Sequence, residues 1–167
     1  NEDIVGQAVK ESGLERKEVF LTTKLYRPCV TYEKAKAAIE KSLQALQTDY
    51  IDLLLIHEPY DSALEMYEAM KEAYRAGKVR AIGISNFTEK KYQAFVAACD
   101  IVPAVSQVES HAAGIAKGNG KAWNANAVLG ILYGGQKKYF CGAVIAGAWE
   151  QIRKNICTDC TAVFGAE

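Results

Sequence analysis

The sequence predicts an α/β fold in which parallel strands alternate with helices, as in part of a β/α barrel. Residues 51–56 contain five apolar residues without alternation, which is typical of a strand buried on both faces of a parallel sheet. Pro59 then ends this strand, because proline has no backbone N–H and holds Glu58 extended. Polar residues therefore lie at the carboxyl end of a buried strand, where parallel α/β folds bind their ligands.

Composition and charge favour a single globular domain with a small-molecule partner. The chain has 167 residues, 50% of them hydrophobic, and its 20 Lys and Arg balance its 20 Asp and Glu. The basic residues are scattered, which argues against a nucleic-acid or membrane partner. No apolar run reaches membrane-spanning length, the first residues do not resemble a signal peptide, and the five cysteines show no regular spacing. These observations predict a cytoplasmic protein with reduced thiols.

The first half of the chain contains a predicted helix, a strand and a second helix. The first helix ends at Gly13, and its predicted inner face consists of Ile4, Val5, Ala8 and Val9. Residues 19–24 have the β-branched and aromatic content of a strand, which ends in Lys24. Residues 33–47 then carry apolar positions at helical spacing and lead into the strand at 51–56.

The second half repeats the same alternation. Residues 62–65 predict a capping box that opens a third helix, and Gly77 ends this helix. Residues 79–84 predict a strand, Thr88 can cap a fourth helix, and residues 103–108 predict a fourth strand. The predicted inner face of the third helix consists of Met66, Tyr67, Met70, Ala73 and Tyr74.

Each of the four predicted strands ends in or next to a polar residue, namely Lys24, His57, Ser85 and Gln107. Right-handed crossovers set the carboxyl ends of consecutive parallel strands side by side. The four residues are therefore expected on one rim of a partial barrel, in the position of a barrel active site.

Lys24, His57 and Ser85 also have a purely structural interpretation. A lysine at a strand end is usually a solvated charge, and a strand-end histidine can be a hydrogen-bonded structural residue. Ser85 and Asn86 together can form a turn followed by a helix cap. The positions of the residues leave these alternatives open.

Four long motifs closely resemble the aldo-keto reductase family, in its order and spacing. They are FLTTKL at 20–25, DYIDLLLIHEP at 49–59, GKVRAIGISNF at 77–87 and PAVSQVESH at 103–111. The resemblance covers residues 1–111 and implies a partial (β/α)8 TIM barrel with about four consecutive βα units. It also implies an oxidoreductase that reduces an aldehyde or ketone to an alcohol with NADPH.

The resemblance implies two catalytic residues. Lys24 matches the lysine whose charge makes the family's catalytic tyrosine a better acid, since a nearby cation stabilises a phenolate. His57 matches the histidine that orients and polarises the substrate carbonyl, a role suited to imidazole near neutral pH.

The resemblance also implies residues that bind the cofactor and the substrate. Ser85, Asn86 and Gln107 match the side chains that hold the nicotinamide carboxamide, which decides the face of the ring that delivers hydride. Tyr26 and Glu58 match pocket-lining positions, and Glu58 stands where an aromatic residue is frequent. No residue of the sequence is predicted to bind a metal ion.

Other parts of the family pattern are expected to be missing. The resemblance places the catalytic tyrosine and aspartate just ahead of Asn1, and the segment that binds the adenosine 2′-phosphate has no counterpart. We therefore expect an incomplete and inactive reductase chain, for which NADH remains an alternative to NADPH. A different hypothesis is a non-catalytic half-barrel that binds a nucleotide or self-associates through exposed sheet edges.

The tail, residues 112–167, does not match the family in frame and is predicted to be irregular and of unassigned fold. Glycine is frequent there and the helical and strand periods fade. Back-translation shifted by one nucleotide permits family-like segments, which suggests a frameshift near the codons for His111 to Gly114. The lone pair Cys157 and Cys160 is interpreted as incidental.

Overall fold

The computed structural model describes residues 1–108 and the backbone of residues 142–145. Helices and strands alternate along the first of these ranges, so the predicted α/β fold class is confirmed. Within the described ranges, no helix is long and apolar enough to cross a membrane. The helices are α1 Glu2–Glu11, α2 Tyr32–Ala45, α3 Ala63–Arg75 and α4 Glu89–Ala97, and a 3₁₀ turn spans Arg16–Glu18. The strands are β1 Val19–Leu25, β2 Leu53–Ile56, β3 Ile82–Ser85, β4 Val105–Gln107 and β5 Gly142–Ile145.

The sheet has the order β4-β3-β2-β1-β5. The first four strands are parallel and neighbour one another in chain order, as expected for consecutive βα units. β5 pairs antiparallel with Val19–Thr22 on the outer edge of β1. The sequence predicted no strand in this part of the tail. The proposed frameshift near His111 and the interpretation of Cys157 and Cys160 lie outside the described residues.

β2 is buried on both faces, as the apolar run at 51–56 predicted. One face joins the large cluster between the sheet and the helices, which includes Leu54, Ile56, Ile39 and Met70. The opposite face forms a smaller cluster of Leu53, Leu55 and Val105, against which Phe20 and Ala81 pack. Each face of β2 therefore packs against a different apolar cluster, which explains why the strand is apolar throughout.

The predicted inner face of α1 was wrong in part. Ile4 is 67% exposed and Ala8 is exposed as well, whereas Gly6 is buried. A Cβ at Gly6 would lie 2.6 Å from the carbonyl oxygen of Ala45, so the α1 backbone contacts the end of α2 directly. Val5 and Val9 pack against the core on either side of this contact. The close approach of the α1 and α2 backbones at Gly6 determines which side of α1 faces the core. The spacing of apolar residues does not predict such a contact.

Two predictions for α3 were also wrong. Tyr74 is 42% exposed, although the other four inner-face residues are buried. Ser62 makes no capping hydrogen bond through its side chain, and the Glu65 carboxylate instead accepts a hydrogen bond of 2.9 Å from the backbone N–H of Tyr32. This N–H belongs to the first residue of α2, so it has no acceptor within its own helix. Glu65 therefore caps the neighbouring helix.

A buried carboxylate joins the amino-terminal ends of the first three strands. Asp52 is 3% exposed, and its Oδ2 accepts hydrogen bonds from Arg16 Nη2 at 2.7 Å and from the backbone N–H of Leu21 at 2.9 Å. Its Oδ1 accepts from Arg80 Nη1 at 3.1 Å. The Arg16 guanidinium also lies 3.9 Å above the Tyr50 ring. No pattern in the sequence predicted this cluster.

We expect Gly83→Ala to loosen the pairing of β3 with β4. A Cβ there would lie 2.4 Å from the carbonyl oxygen of Val105 and 2.7 Å from Leu55 Cδ2, so the strands must separate. Overpacking of this kind costs about 1–3 kcal/mol of unfolding free energy. Urea denaturation would measure the loss, and hydrogen exchange of the β4 amides should become faster.

Gly77→Ala is the matched control for this substitution. Nothing lies within 4 Å of a Cβ at Gly77, and the only strain is its left-handed φ of 75°. This variant should lose stability without a selective effect on β4. Unchanged hydrogen exchange of the β4 amides in Gly83→Ala would show that β3 and β4 have room for a Cβ at this position.

Candidate active site

The carboxyl ends of β1, β3 and β4 bring three predicted site residues into one row. Lys24 Nζ lies 3.5 Å from Ser85 Oγ and donates to it, and Ser85 Oγ lies 3.5 Å from Gln107 Oε1. Ser85 is directly opposite Gln107 in the strand register. The row begins with a cation and ends with an amide, on the rim where the sequence analysis expected a site.

The other predicted catalytic and cofactor-binding residues, His57 and Asn86, lie beside this row. The backbone N–H of His57 donates to the carbonyl of Leu25 at 2.9 Å, which fixes the end of β2 against β1. Asn86 Nδ2 donates to the His57 carbonyl at 2.9 Å and to Glu58 Oε1 at 3.1 Å. The backbone N–H of Asn86 donates to the Gln107 carbonyl at 2.8 Å. These bonds connect the ends of β2, β3 and β4.

Asn86 adopts a left-handed conformation with φ of 65°. Asparagine tolerates this region better than most residues, and the bend turns its side chain back toward the end of β2. The exposed Asn86 follows the buried Ser85, so the chain leaves the sheet at this point with its polar groups accessible.

Burial lowers the pKa of both candidate catalytic groups. For Lys24 the main cause is loss of solvent, opposed by the negative charge of Glu58. For His57 the causes are burial and then the positive charge of Lys24, again opposed by Glu58. A His57 pKa below its ordinary value of 6.5 favours the neutral ring at neutral pH, and a neutral imidazole can donate one hydrogen bond to a carbonyl oxygen.

The pKa of His57 should respond in opposite directions to the loss of its two charged neighbours, Lys24 and Glu58. Lys24→Met removes a positive charge and should raise the pKa of His57, whereas Glu58→Gln removes a negative charge and should lower it. Two-dimensional NMR of the imidazole ring against pH would measure both changes. Shifts of the same sign in the two variants would contradict the electrostatic assignment.

The two predicted pocket residues occupy different environments. Glu58 is half-buried and bonded to Asn86, inside the group of polar residues. Tyr26 directly follows β1 at the same edge of the sheet, and its side chain is 57% exposed. In the described part of the chain, no three His, Cys, Asp or Glu side chains are grouped so as to hold a metal ion.

Sequence reasoning did not anticipate the bond between Glu58 and Asn86. The two residues are far apart in the chain, and each was assigned separately, one to the substrate pocket and one to the cofactor. A signal was present in the sequence, because each residue lies two positions after the last residue of its predicted strand, 51–56 for Glu58 and 79–84 for Asn86. Adjacent strand ends place such residues within hydrogen-bonding distance.

Comparison with known proteins assigns the chain to a family. The model of the aldo/keto reductase family matches residues 1–118. The glyoxal reductase of Bacillus subtilis is 45% identical over 112 residues, which is 66% of this chain and 41% of that protein. The morphine 6-dehydrogenase of Pseudomonas putida is 40% identical over 114 residues, which is 66% of this chain and 38% of that protein. The chain thus spans about two fifths of the length of these curated relatives.

Solved structures give the same assignment. An aldo-keto reductase from a Medee basin deep-sea metagenome has a TM-score of 0.64 and 46% identity, with 66% of this chain and 42% of that chain covered. A Bombyx mori aldo-keto reductase in complex with NADP has a TM-score of 0.62 and 35% identity, with 65% and 40% covered. The parallel βα units, the polar rim and these matches agree, and the chain belongs to the aldo/keto reductase family.

Proposed function

We propose that residues 1–108 form part of the pocket of an NADPH-dependent carbonyl reductase, which reduces an aldehyde or ketone to an alcohol. The observation that carries this proposal is the convergence of Lys24, Ser85 and Gln107 in one row, with His57 and Asn86 beside it. The polar groups at this sheet edge are a cation, an imidazole, two amides and a hydroxyl. Such a set can bind a polar ring substituent and a reactive carbonyl.

The residues present fit a nicotinamide carboxamide. This group has one acceptor and two N–H donors, and the rim offers the Ser85 hydroxyl, the Asn86 amide and the Gln107 amide around the end of β3. When bound, the nicotinamide supplies the hydride. The part of the protein is to hold the ring so that one face points toward the substrate carbonyl.

Lys24 and His57 would act on the substrate side. A neutral His57 donates a hydrogen bond to the carbonyl oxygen and makes its carbon more electrophilic. Lys24 stabilises negative charge, either on that oxygen or on the phenol that the family uses as the acid. Its hydrogen bond within the described residues is to Ser85 Oγ rather than to a tyrosine.

The same proposal includes inactivity of this chain on its own. The chain spans about two fifths of its curated relatives, and the family's tyrosine and aspartate are expected outside it. NADPH is the cofactor proposed, since a neighbour was solved with NADP. NADH is the weaker alternative, because the family's segment for the adenosine 2′-phosphate is expected outside this chain. The relatives' names indicate that family members act on carbonyls and alcohols as different as glyoxal and morphine.

A segment exchange would test the proposal. Residues 1–111 of this chain would replace the corresponding segment of the Bacillus subtilis glyoxal reductase, to which they are similar. We expect the hybrid to reduce glyoxal with consumption of NADPH, because the rest of that enzyme supplies the acid. The 167-residue chain alone should bind NADPH and show no turnover.

The outcomes separate the candidate functions. A folded hybrid that neither binds NADPH nor reduces glyoxal would overturn the proposed function. NADPH binding without turnover in the hybrid would favour the non-catalytic half-barrel. Turnover by the chain alone would show that its own residues supply an acid.

A further inference from the structure

We infer that Glu58 is a positioning residue, which fixes the Asn86 amide so that its oxygen accepts a hydrogen bond from the carboxamide nitrogen of the cofactor. This inference rests on the proposed function. It assigns Glu58 a role toward the cofactor, in addition to any contact with substrate. The hydrogen bonds around Asn86 carry it.

The two N–H groups of the Asn86 amide are both used within the protein. Nδ2 donates to the His57 carbonyl at 2.9 Å and to Glu58 Oε1 at 3.1 Å. Both partners accept only, so they select the nitrogen of the amide and exclude its oxygen from that side. Among the described residues, Oδ1 has no hydrogen-bond donor, and the residue is exposed. The group that Asn86 presents to a ligand is therefore an acceptor.

The Asn86 backbone is fixed as well. Its N–H donates to the Gln107 carbonyl at 2.8 Å, and its φ of 65° places the side chain over the end of β2. The final torsion of an asparagine side chain is broad when nothing holds it. The His57 carbonyl supplies one tether, and the Glu58 carboxylate supplies the second, which removes the remaining rotation.

This arrangement has a chemical consequence for the ligand. A nicotinamide carboxamide has an NH₂ group that can donate to Asn86 Oδ1. A 3-acetylpyridine analogue has a methyl group in that place and cannot donate. A fixed acceptor therefore discriminates between the two cofactors, and a mobile amide discriminates less because it spends part of its time in other orientations.

The charge of Glu58 can be separated from its role as an acceptor. The charge of Glu58 also opposes the lowering of the pKa of Lys24 and of His57 that burial causes. Glu58→Gln removes that charge and keeps an oxygen that can accept from Asn86 Nδ2. Glu58→Ala removes both. An effect on carboxamide recognition that appears in the alanine variant and not in the glutamine variant belongs to the hydrogen bond.

Isothermal titration calorimetry of the full chain with NADPH and with its reduced 3-acetylpyridine analogue would test the inference. We expect the wild type to bind NADPH about three- to tenfold more tightly than the analogue, the range of one hydrogen bond. Glu58→Gln should keep most of this ratio, and Glu58→Ala should reduce it to about twofold or less. Glu89→Ala, at an exposed position in the first turn of α4, is the control and should keep the wild-type ratio. Thermal denaturation would verify that each variant is folded.

Each result decides one question. A wild-type ratio retained in folded Glu58→Ala would overturn the role of Glu58 and leave the proposed function intact. An equal loss in Glu58→Gln and Glu58→Ala would assign the effect to charge and would also overturn the inference. The wild type alone decides the question if the alanine variant does not fold. Equal affinity of the wild type for NADPH and for the analogue would refute the inference that Asn86 Oδ1 is held as an acceptor. No NADPH binding by the wild type or by the hybrid would overturn the proposed function and this inference together.

Discussion

Lys24→Met in the hybrid enzyme should reduce glyoxal turnover by about 10²- to 10⁴-fold, the range that one acid–base group contributes. Lys24 is the cation at the rim, 3.5 Å from Ser85 Oγ, and it is the group proposed to stabilise negative charge as the carbonyl oxygen takes its proton. Methionine keeps the length of the side chain and removes the charge. Steady-state kinetics would place the loss in kcat rather than in KM for NADPH.

The stability of this variant should change little. The pKa of Lys24 is lowered mainly by burial, so the charged form is held at a cost that methionine does not carry. Lys90→Met, at an exposed position on α4, is the matched control and should keep full turnover. Activity of Lys24→Met within about tenfold of the unsubstituted hybrid would exclude a catalytic role for this lysine.

Asp52→Ala should destabilise the chain by about 1.5–3 kcal/mol, the typical contribution of hydrogen bonds to a charged group. The substitution leaves the backbone N–H of Leu21 buried without its acceptor and removes the partner of two guanidinium groups. It also disconnects the amino-terminal ends of three strands. Urea denaturation of the full chain would measure the change in the free energy of unfolding.

Glu40→Ala provides the comparison for an exposed ion pair. Glu40 pairs with Lys78 between side chains that are 46% and 44% exposed, where solvent screens the charges. The expected loss there is at most about 1 kcal/mol. Similar losses in Asp52→Ala and Glu40→Ala would mean that the burial of Asp52 has no energetic consequence.

The apolar run at 51–56 and the polar residue at each strand end were sufficient to predict parallel βα units and a common rim. Both signals are local, since a strand buried on two faces needs apolar residues throughout and must end where proline follows. The family resemblance was confirmed by the match over residues 1–118. The catalytic and cofactor roles of the rim residues stay predictions.

Predictions that depended on a contact between distant segments were less accurate. Ile4 and Tyr74 have apolar spacing and are exposed, because neighbouring helices cover other parts of α1 and α3. Glu65 has the spacing of a capping box and instead caps α2, since the free N–H of Tyr32 lies close to it. Helical periodicity describes one helix at a time and does not predict which other helix packs against it.

By itself, the sequence determined the alternation of helices and strands, the family, and the set of polar residues that follow the strands. Only the tertiary structure decided which of those residues bond to one another, because residues as distant as Lys24 and Ser85 meet only when parallel strands pair in a specific register. The same holds for Asp52 with Arg16 and Arg80, and for Glu58 with Asn86. Hydrogen bonds and ion pairs act over a few ångströms, and that proximity is a property of the fold rather than of the chain order.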